Sequence, residues 1–159
     1  MNMKYLSLVV AIIVTVNCTS KNNLENTHTH FQLKSGNLMS DISEDFLGNN
    51  LMYPEGDPSL TTSVAVWESG FVSPWHYHPF TGSATILQGE LTVDFDTTSS
   101  IDDSDGDGDK VSSMRKTFKA GEAIMAIQNV WHQASNQGDE QLIFMVSWIG
   151  EKGKPVVMQ

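Results

Sequence analysis

Two histidines separated by one residue, His76 and His78, are the side chains best suited to chemistry. They lie within residues 70–89, GFVSPWHYHPFTGSATILQG. Side chains alternate faces along a β-strand, so both imidazoles are expected on one face and Trp75 and Tyr77 on the other. Two imidazoles on one face are half of a metal site, and His132, later in the chain, is the candidate third ligand. Imidazole suits zinc, copper, iron and nickel better than magnesium or calcium.

A second pair of the same spacing, His28 and His30, lies near the start of the chain. The surrounding segment is polar, and no strand pattern flanks the pair. A mobile polar segment holds two imidazoles poorly, so this pair is not expected to form the functional site.

Composition points to one all-β domain and away from nucleic acid. The chain has 159 residues and a formal net charge of −10, with no basic run, which excludes nucleic acid as a partner. Short β-rich segments separated by turn residues are typical of a sandwich or barrel. Strands are predicted at 63–68, 74–78, 83–88, 90–95, 112–119, 123–127, 130–134 and 141–149, with Gly89 as a tight turn between two of them. A short strand near 31–34 and a helical turn near 40–47 are also predicted.

The first seventeen residues resemble an export signal. The apolar run from Leu6 to Val16 is too short to span a bilayer, which takes roughly 20 residues. Two interpretations stay open. In the first, Cys18 becomes the lipid-modified first residue of a bacterial lipoprotein. In the second, the signal is an ordinary one and Cys18 is incidental. Asn17 departs from the small residue usual before a lipoprotein cysteine.

Both interpretations predict an exported domain, either periplasmic or anchored to the membrane through lipid alone. We expect residues 1–17 to be the signal peptide, 18–30 a polar tether and 31–159 the barrel domain, with its core at 51–150. Cys18 is the one cysteine of the chain, so no internal disulfide can form.

An acidic loop between residues 96 and 113 is a weak calcium candidate. Asp103, Asp105 and Asp107, followed by Gly108, match the first half of a calcium-binding loop, in which oxygen ligands alternate. The closing bidentate glutamate would fall on Met114, which cannot bind calcium. The alternative is a solvated hairpin insertion whose charges repel one another.

The histidines belong to two ordered motifs. The first contains Gly70, His76, His78 and Gly89, and the second contains Gly121, His132 and Asn136. These motifs resemble those of the cupin family, although the second has Ile127 and Asn129 where the family has a proline and a glycine. The resemblance implies a double-stranded β-helix, or jelly-roll, barrel that binds Fe, Mn, Ni, Zn or Cu inside, and a homodimer paired through β-strands.

One departure from the family changes the expected ligand set. The first cupin motif has a metal-binding glutamate four residues after its second histidine, and that position is Gly82 here. Three neutral imidazoles would leave a divalent ion with its full +2 charge and open coordination positions, as in catalytic sites. An anionic, bidentate ligand would be attracted to such an ion. Some cupins that cleave diketones or oxidise thiols also use three histidines.

Three functions therefore compete. The first is an iron-type dioxygenase acting on a small anionic or chelating substrate. The second is a cupin that binds or senses a small ligand without catalysis, and the third is a zinc-dependent isomerase or hydrolase with a metal-bound water as base. Gln88 and Gln128, with the motif residue Asn136, are candidate contacts to the substrate or to the metal ligands. Aromatic residues near the motifs could also line a pocket, namely Trp67, Phe71, Trp75, Tyr77, Phe80, Trp131 and Trp148.

Overall fold

The structure is a computed structural model that describes residues 35–102 and 108–159. Predictions for the signal, Cys18, the tether, His28 and His30, the strand near 31–34, and Asp103, Asp105 and Asp107 fall outside these residues. Seven strands form the described domain: β1 (Pro58–Trp67), β2 (Gly82–Gln88), β3 (Glu90–Asp96), β4 (Met114–Lys119), β5 (Ala123–Met125), β6 (Trp131–Ser135) and β7 (Leu142–Glu151).

The strands form two antiparallel sheets that enclose the core. One sheet has the order β1-β7-β2-β5 and the other the order β4-β3-β6. Along β1 the side chains alternate as a strand requires, so that Ala65 and Trp67 face inward while Val64 and Val66 are exposed. The all-β prediction is confirmed, and the architecture is the double-stranded β-helix.

The predicted helical turn near residues 40–47 is wrong. The two described ranges contain no helix, and the chain instead makes a tight turn at Phe46 and Leu47. The carboxylate of Asp45 accepts hydrogen bonds from the backbone N–H groups of Leu47 and Asn49 at 2.8 and 3.0 Å. A side chain that satisfies the backbone in this way replaces the helical hydrogen bonds. None of the described residues belongs to an apolar helix long enough to cross a membrane.

Gly89 lies between two strands as predicted, but it does not close a hairpin between them. β2 pairs with β5 and β7, whereas β3 pairs with β4 and β6, so the two consecutive strands belong to different sheets. Gly89 takes a φ of 74° and carries the chain from one sheet to the other. A Cβ there would lie 3.1 Å from the carbonyl oxygen of Gln141, so the crossing also needs the close approach that glycine permits.

Residues 74–78 are extended but do not form the regular strand predicted for them. They make isolated bridges instead, His76 with His132, Tyr77 with Met158 and His78 with Gln128. The first bridge is complete, because the N–H of each histidine donates to the carbonyl of the other at 2.9 and 2.8 Å. His76 and His132 therefore stand directly opposite one another.

A buried carboxylate holds the base of the acidic loop. Asp96, at the end of β3, is fully buried and accepts hydrogen bonds from Thr98, Ser99 and the backbone N–H of Val111. Burial alone would raise the pKa of Asp96, but the hydrogen bonds from Thr98, Val111 and Ser99 outweigh it and hold the pKa well below its ordinary value. The same loop contacts β6, where the indole N–H of Trp131 donates to the carbonyl of Ser100 at 3.4 Å.

We expect Asp96→Asn to lower the free energy of unfolding by about 1–3 kcal/mol, because the amide turns an N–H₂ group toward backbone donors. Since folding lowers the pKa of Asp96, its stabilising effect is present above about pH 4 and declines as the pH falls further. Urea denaturation at pH 7 and at pH 3 measures both effects. Asp102→Asn, on the exposed part of the same loop, is the control. Equal stability of the two variants would contradict this role.

Candidate metal centre

The three predicted histidines meet inside the barrel. Ligand nitrogens of His76, His78 and His132 all lie within 4.8 Å of one another. The ring centroids are 4.3 Å apart for His76 and His132, 4.9 Å for His78 and His132, and 5.0 Å for His76 and His78. The bridge between His76 and His132 sets the first distance, and the position of His78 two residues along the same segment brings in the third ring.

Each of the three rings is held by a backbone carbonyl. The Nδ1 atoms of His76, His78 and His132 lie 2.8 Å from the carbonyl oxygens of Pro74, Val156 and Val130 respectively. A carbonyl can only accept a hydrogen bond, so each Nδ1 carries the proton. In a neutral ring the lone pair then resides on Nε2. Metal-binding histidines are oriented in this way in proteins generally.

Burial favours the neutral form of all three rings, because it lowers the pKa of each. It lowers the pKa of His76, against the opposing effect of the Pro74 carbonyl. For His78 burial, and next the charge of His76, lower the pKa to about 3. Burial and the neighbouring histidines hold the pKa of His132 well below its ordinary value. Metal binding therefore needs no prior loss of protons, and three neutral nitrogen donors fit a divalent transition metal.

A cavity of about 320 Å³ adjoins the three histidines. Its walls are mostly apolar, and the polar side chains that line it, apart from the histidines, are Thr61 and Ser63. Among the described residues no charged side chain lines it. The apolar lining consists of Phe46, Ala65, Trp67, Ala84, Leu91, Val93, Phe95, Ile124, Met125, Ala126, Ile127, Ala134, Phe144, Val146, Trp148, Val156 and Val157.

An indole stands where the family's glutamate would begin. Gly82 pairs with Trp148 across β2 and β7. A Cβ at Gly82 would collide with Cε3 of Trp148 and would lie 2.8 Å from the carbonyl oxygen of Ser147. The indole also lies on the ring of His78, with 3.8 Å between centroids and 35° between planes.

The three other predicted contact residues are not among those that line the cavity, and their side chains bond to backbone groups instead. The Gln88 amide donates to the carbonyl of Gln141, at a point where β2 shifts register. Gln128 bonds both the N–H and the carbonyl of Met52. Asn136 is buried and donates to two backbone carbonyls, those of Trp67 and Glu140.

Of the seven aromatic residues near the motifs, two line the cavity and five, including Phe71 and Phe80, do not. The two that line it are Trp67 and Trp148, and the remaining three are Trp75, Tyr77 and Trp131. Tyr77 and Trp131 pack against each other, with 5.0 Å between ring centroids.

The chain belongs to the cupin domain family, whose model matches residues 63–148, more than half of the sequence. Both histidine motifs lie within the matched range. No curated protein matches the chain.

Several solved structures are similar to it. The dimethylsulfoniopropionate (DMSP) lyase DddQ from Ruegeria pomeroyi is 18% identical, with a TM-score of 0.46 over 61% of this chain and 41% of that one. Lactobacillus farciminis oxalate decarboxylase is 19% identical, with a TM-score of 0.46 over 63% and 26%. An uncharacterized double-stranded β-helix protein from Klebsiella pneumoniae is 18% identical, with a TM-score of 0.47 over 69% and 90%. This chain spans less than half of the first two proteins, and such likenesses carry no argument about activity.

Proton release on metal binding tests whether the rings are neutral. Histidines with the ordinary pKa of about 6.5 would release about two protons per metal at pH 6. We expect well under one, because burial keeps the three rings unprotonated. Calorimetric titration with Ni²⁺ at pH 6, in buffers of different ionisation enthalpy, measures the number. Release of two protons would contradict the buried, neutral site.

The carbonyl of Val156 can be removed by shortening the chain. We expect a chain ending at Lys154 to bind Ni²⁺ about 10–100-fold more weakly, because His78 loses the acceptor that orients it. A chain lacking only Gln159 is the control and should bind as the full chain does. Equal affinity of all three chains for Ni²⁺ in the same titration would show that the carbonyl has no part in holding the metal.

Proposed function

We propose that this cupin holds a divalent transition metal, iron in the working protein, on Nε2 of His76, His78 and His132. It uses dioxygen to oxidise a small apolar molecule that chelates the metal through an anionic group. The observation that carries the proposal is the convergence of three imidazoles, each oriented by a carbonyl, on a cavity whose described lining residues include no charged side chain. When bound, iron would supply both the positive charge for the substrate and the reactivity toward dioxygen.

The cavity wall supports a substrate with two unlike ends. No charged side chain among the described lining residues could pair with an anion, so the anionic head is drawn to the metal. Phe95, Ile127 and Phe144 offer contact to a hydrocarbon or aromatic body. Sugar-like molecules are disfavoured, because most of their hydroxyl groups would be buried without partners. At about 320 Å³ the cavity takes a small molecule.

A second candidate is a cupin that binds the same kind of ligand without transforming it. It is favoured by the lack of a carboxylate, lysine or tyrosine among the described lining residues, since the wall then offers no second acid or base. The same observation counts against a zinc isomerase or hydrolase, in which metal-bound water would be the only base. Oxidation requires fewer acid or base groups in the cavity wall, because bound iron would supply the reactivity.

The proposal extends to location and assembly. The apolar run before Cys18 supports export, with Cys18 as the lipid anchor or as an incidental residue. A homodimer is supported by β1, an edge strand of ten residues whose outward side chains Leu60, Val64 and Val66 are exposed.

Metal content and oxygen consumption test the function. After anaerobic loading with Fe²⁺, we expect about one iron per chain in the wild type and less than about a tenth of that in His132→Ala, which loses one of three ligands. His30→Ala, a histidine substitution in the predicted tether, is the control and should retain iron. Circular dichroism establishes that the variants are folded.

The iron-loaded wild type should consume oxygen with at least one member of a panel of diketones, thiols and phenolics. Iron binding without oxygen consumption would favour the binding protein. Absence of any bound transition metal in the folded wild type would contradict the metal centre itself.

A further inference from the structure

We propose that Trp148 fixes the ligand set of this site. Its indole occupies the space of a fourth protein ligand and holds His78, so that the fourth ligand, and its negative charge, must come from the bound molecule. This inference rests on the metal site of the proposed function.

The register of β2 and β7 prevents an indole at position 148 and a carboxylate side chain at position 82 from being present together. Gly82 stands opposite Trp148, and next to this pair the N–H of Ile149 donates to the carbonyl of Thr81 at 3.0 Å. The two backbones are so close that any Cβ at position 82 would meet both the indole and the Ser147 carbonyl. Gly82 and Trp148 therefore form one packing unit, and a glutamate cannot enter at position 82 while the indole is present.

The indole also restrains a metal ligand. Trp148 is only 6% exposed, and its ring lies over His78 at 3.8 Å between centroids. His78 is thus held by the Val156 carbonyl at Nδ1 and by the indole on its face. The indole nitrogen can only donate a hydrogen bond, so Trp148 restrains the site without itself binding a metal.

The electrostatic consequence concerns the ligand. Three neutral imidazoles and an apolar wall leave a divalent ion with its full charge in a region of low dielectric constant, where attraction to an anion is much stronger than in water. A protein carboxylate in the place of the indole would cancel half of that charge. The site should therefore select anionic ligands over neutral ligands of the same shape.

Three substitutions at one position separate charge from packing. In the full chain, Trp148→Glu places a carboxylate in the space beside His78, Trp148→Gln has the same shape without charge, and Trp148→Phe keeps an aromatic ring on His78. Co²⁺ is the metal probe and acetylacetonate the anionic ligand probe, both followed by the Co²⁺ absorption spectrum. We expect Trp148→Glu to bind Co²⁺ at least about tenfold more tightly than Trp148→Gln. The Co²⁺ form of Trp148→Glu should bind acetylacetonate at least about tenfold more weakly than the Co²⁺ form of Trp148→Phe does.

The preference for an anionic ligand can also be measured on the wild-type protein, so this test does not depend on the folding of any variant. The Co²⁺ form of the wild type should bind acetylacetonate at least about tenfold more tightly than the neutral analogue 4-methoxy-3-penten-2-one. Equal binding of the two, or identical behaviour of Trp148→Glu and Trp148→Gln, would overturn the inference. A wild type that binds no Co²⁺ would overturn the metal site and this inference together. The expected differences in Co²⁺ and acetylacetonate binding, without oxygen consumption by the iron form, would overturn only the oxygenase function and would support the role of Trp148.

Discussion

Three hydrogen bonds from imidazole Nδ1 to backbone carbonyls are the interactions on which the site depends. They select one tautomer in each ring and leave three Nε2 lone pairs free. Two are local, because the acceptors of His76 and His132 are the carbonyls two residues earlier. The third joins His78 to Val156, 78 residues away. Since a buried imidazole without partners would be costly, these bonds also make the polar cluster compatible with an apolar interior.

Strand pairing brings the histidines together and determines which side chains line the cavity. Pairing of the β6 segment with residues 72–76 places His132 opposite His76, and pairing of β2 with β7 places Trp148 against Gly82. The first pairing gathers the donors, and the second fills the remaining space with an indole. The described residues that line the resulting cavity are uncharged, so its preference for a ligand would be governed by a bound metal and by apolar contact. The strand pairings that pack the barrel therefore also determine the metal ligands and the charge that a bound molecule would need.

The sequence predicted the parts of this account that depend on local pattern. The histidine spacing and strand alternation anticipated the three-histidine cluster, and the residue types anticipated an all-β fold. The pattern around Gly89 predicts a tight turn but not the change of sheet, because a glycine between two β segments looks the same whether the strands pair or change sheets. The role of Trp148 depends on a cross-strand register that no local pattern encodes, and it lies in an apolar run typical of core. The Val156 carbonyl was missed because a backbone group leaves no signature in residue types.

The tautomers of the three histidines test the central claim most directly. Long-range proton–nitrogen correlation spectra of the metal-free protein at pH 6, assigned with single histidine variants, report which nitrogen of each ring carries the proton. We predict neutral rings protonated at Nδ1 for His76, His78 and His132, and a shift of each Nε2 resonance when Zn²⁺ is added. Protonation at Nε2, or doubly protonated rings at that pH, would contradict the account, because the lone pairs needed to bind the metal would then be absent or turned toward the backbone.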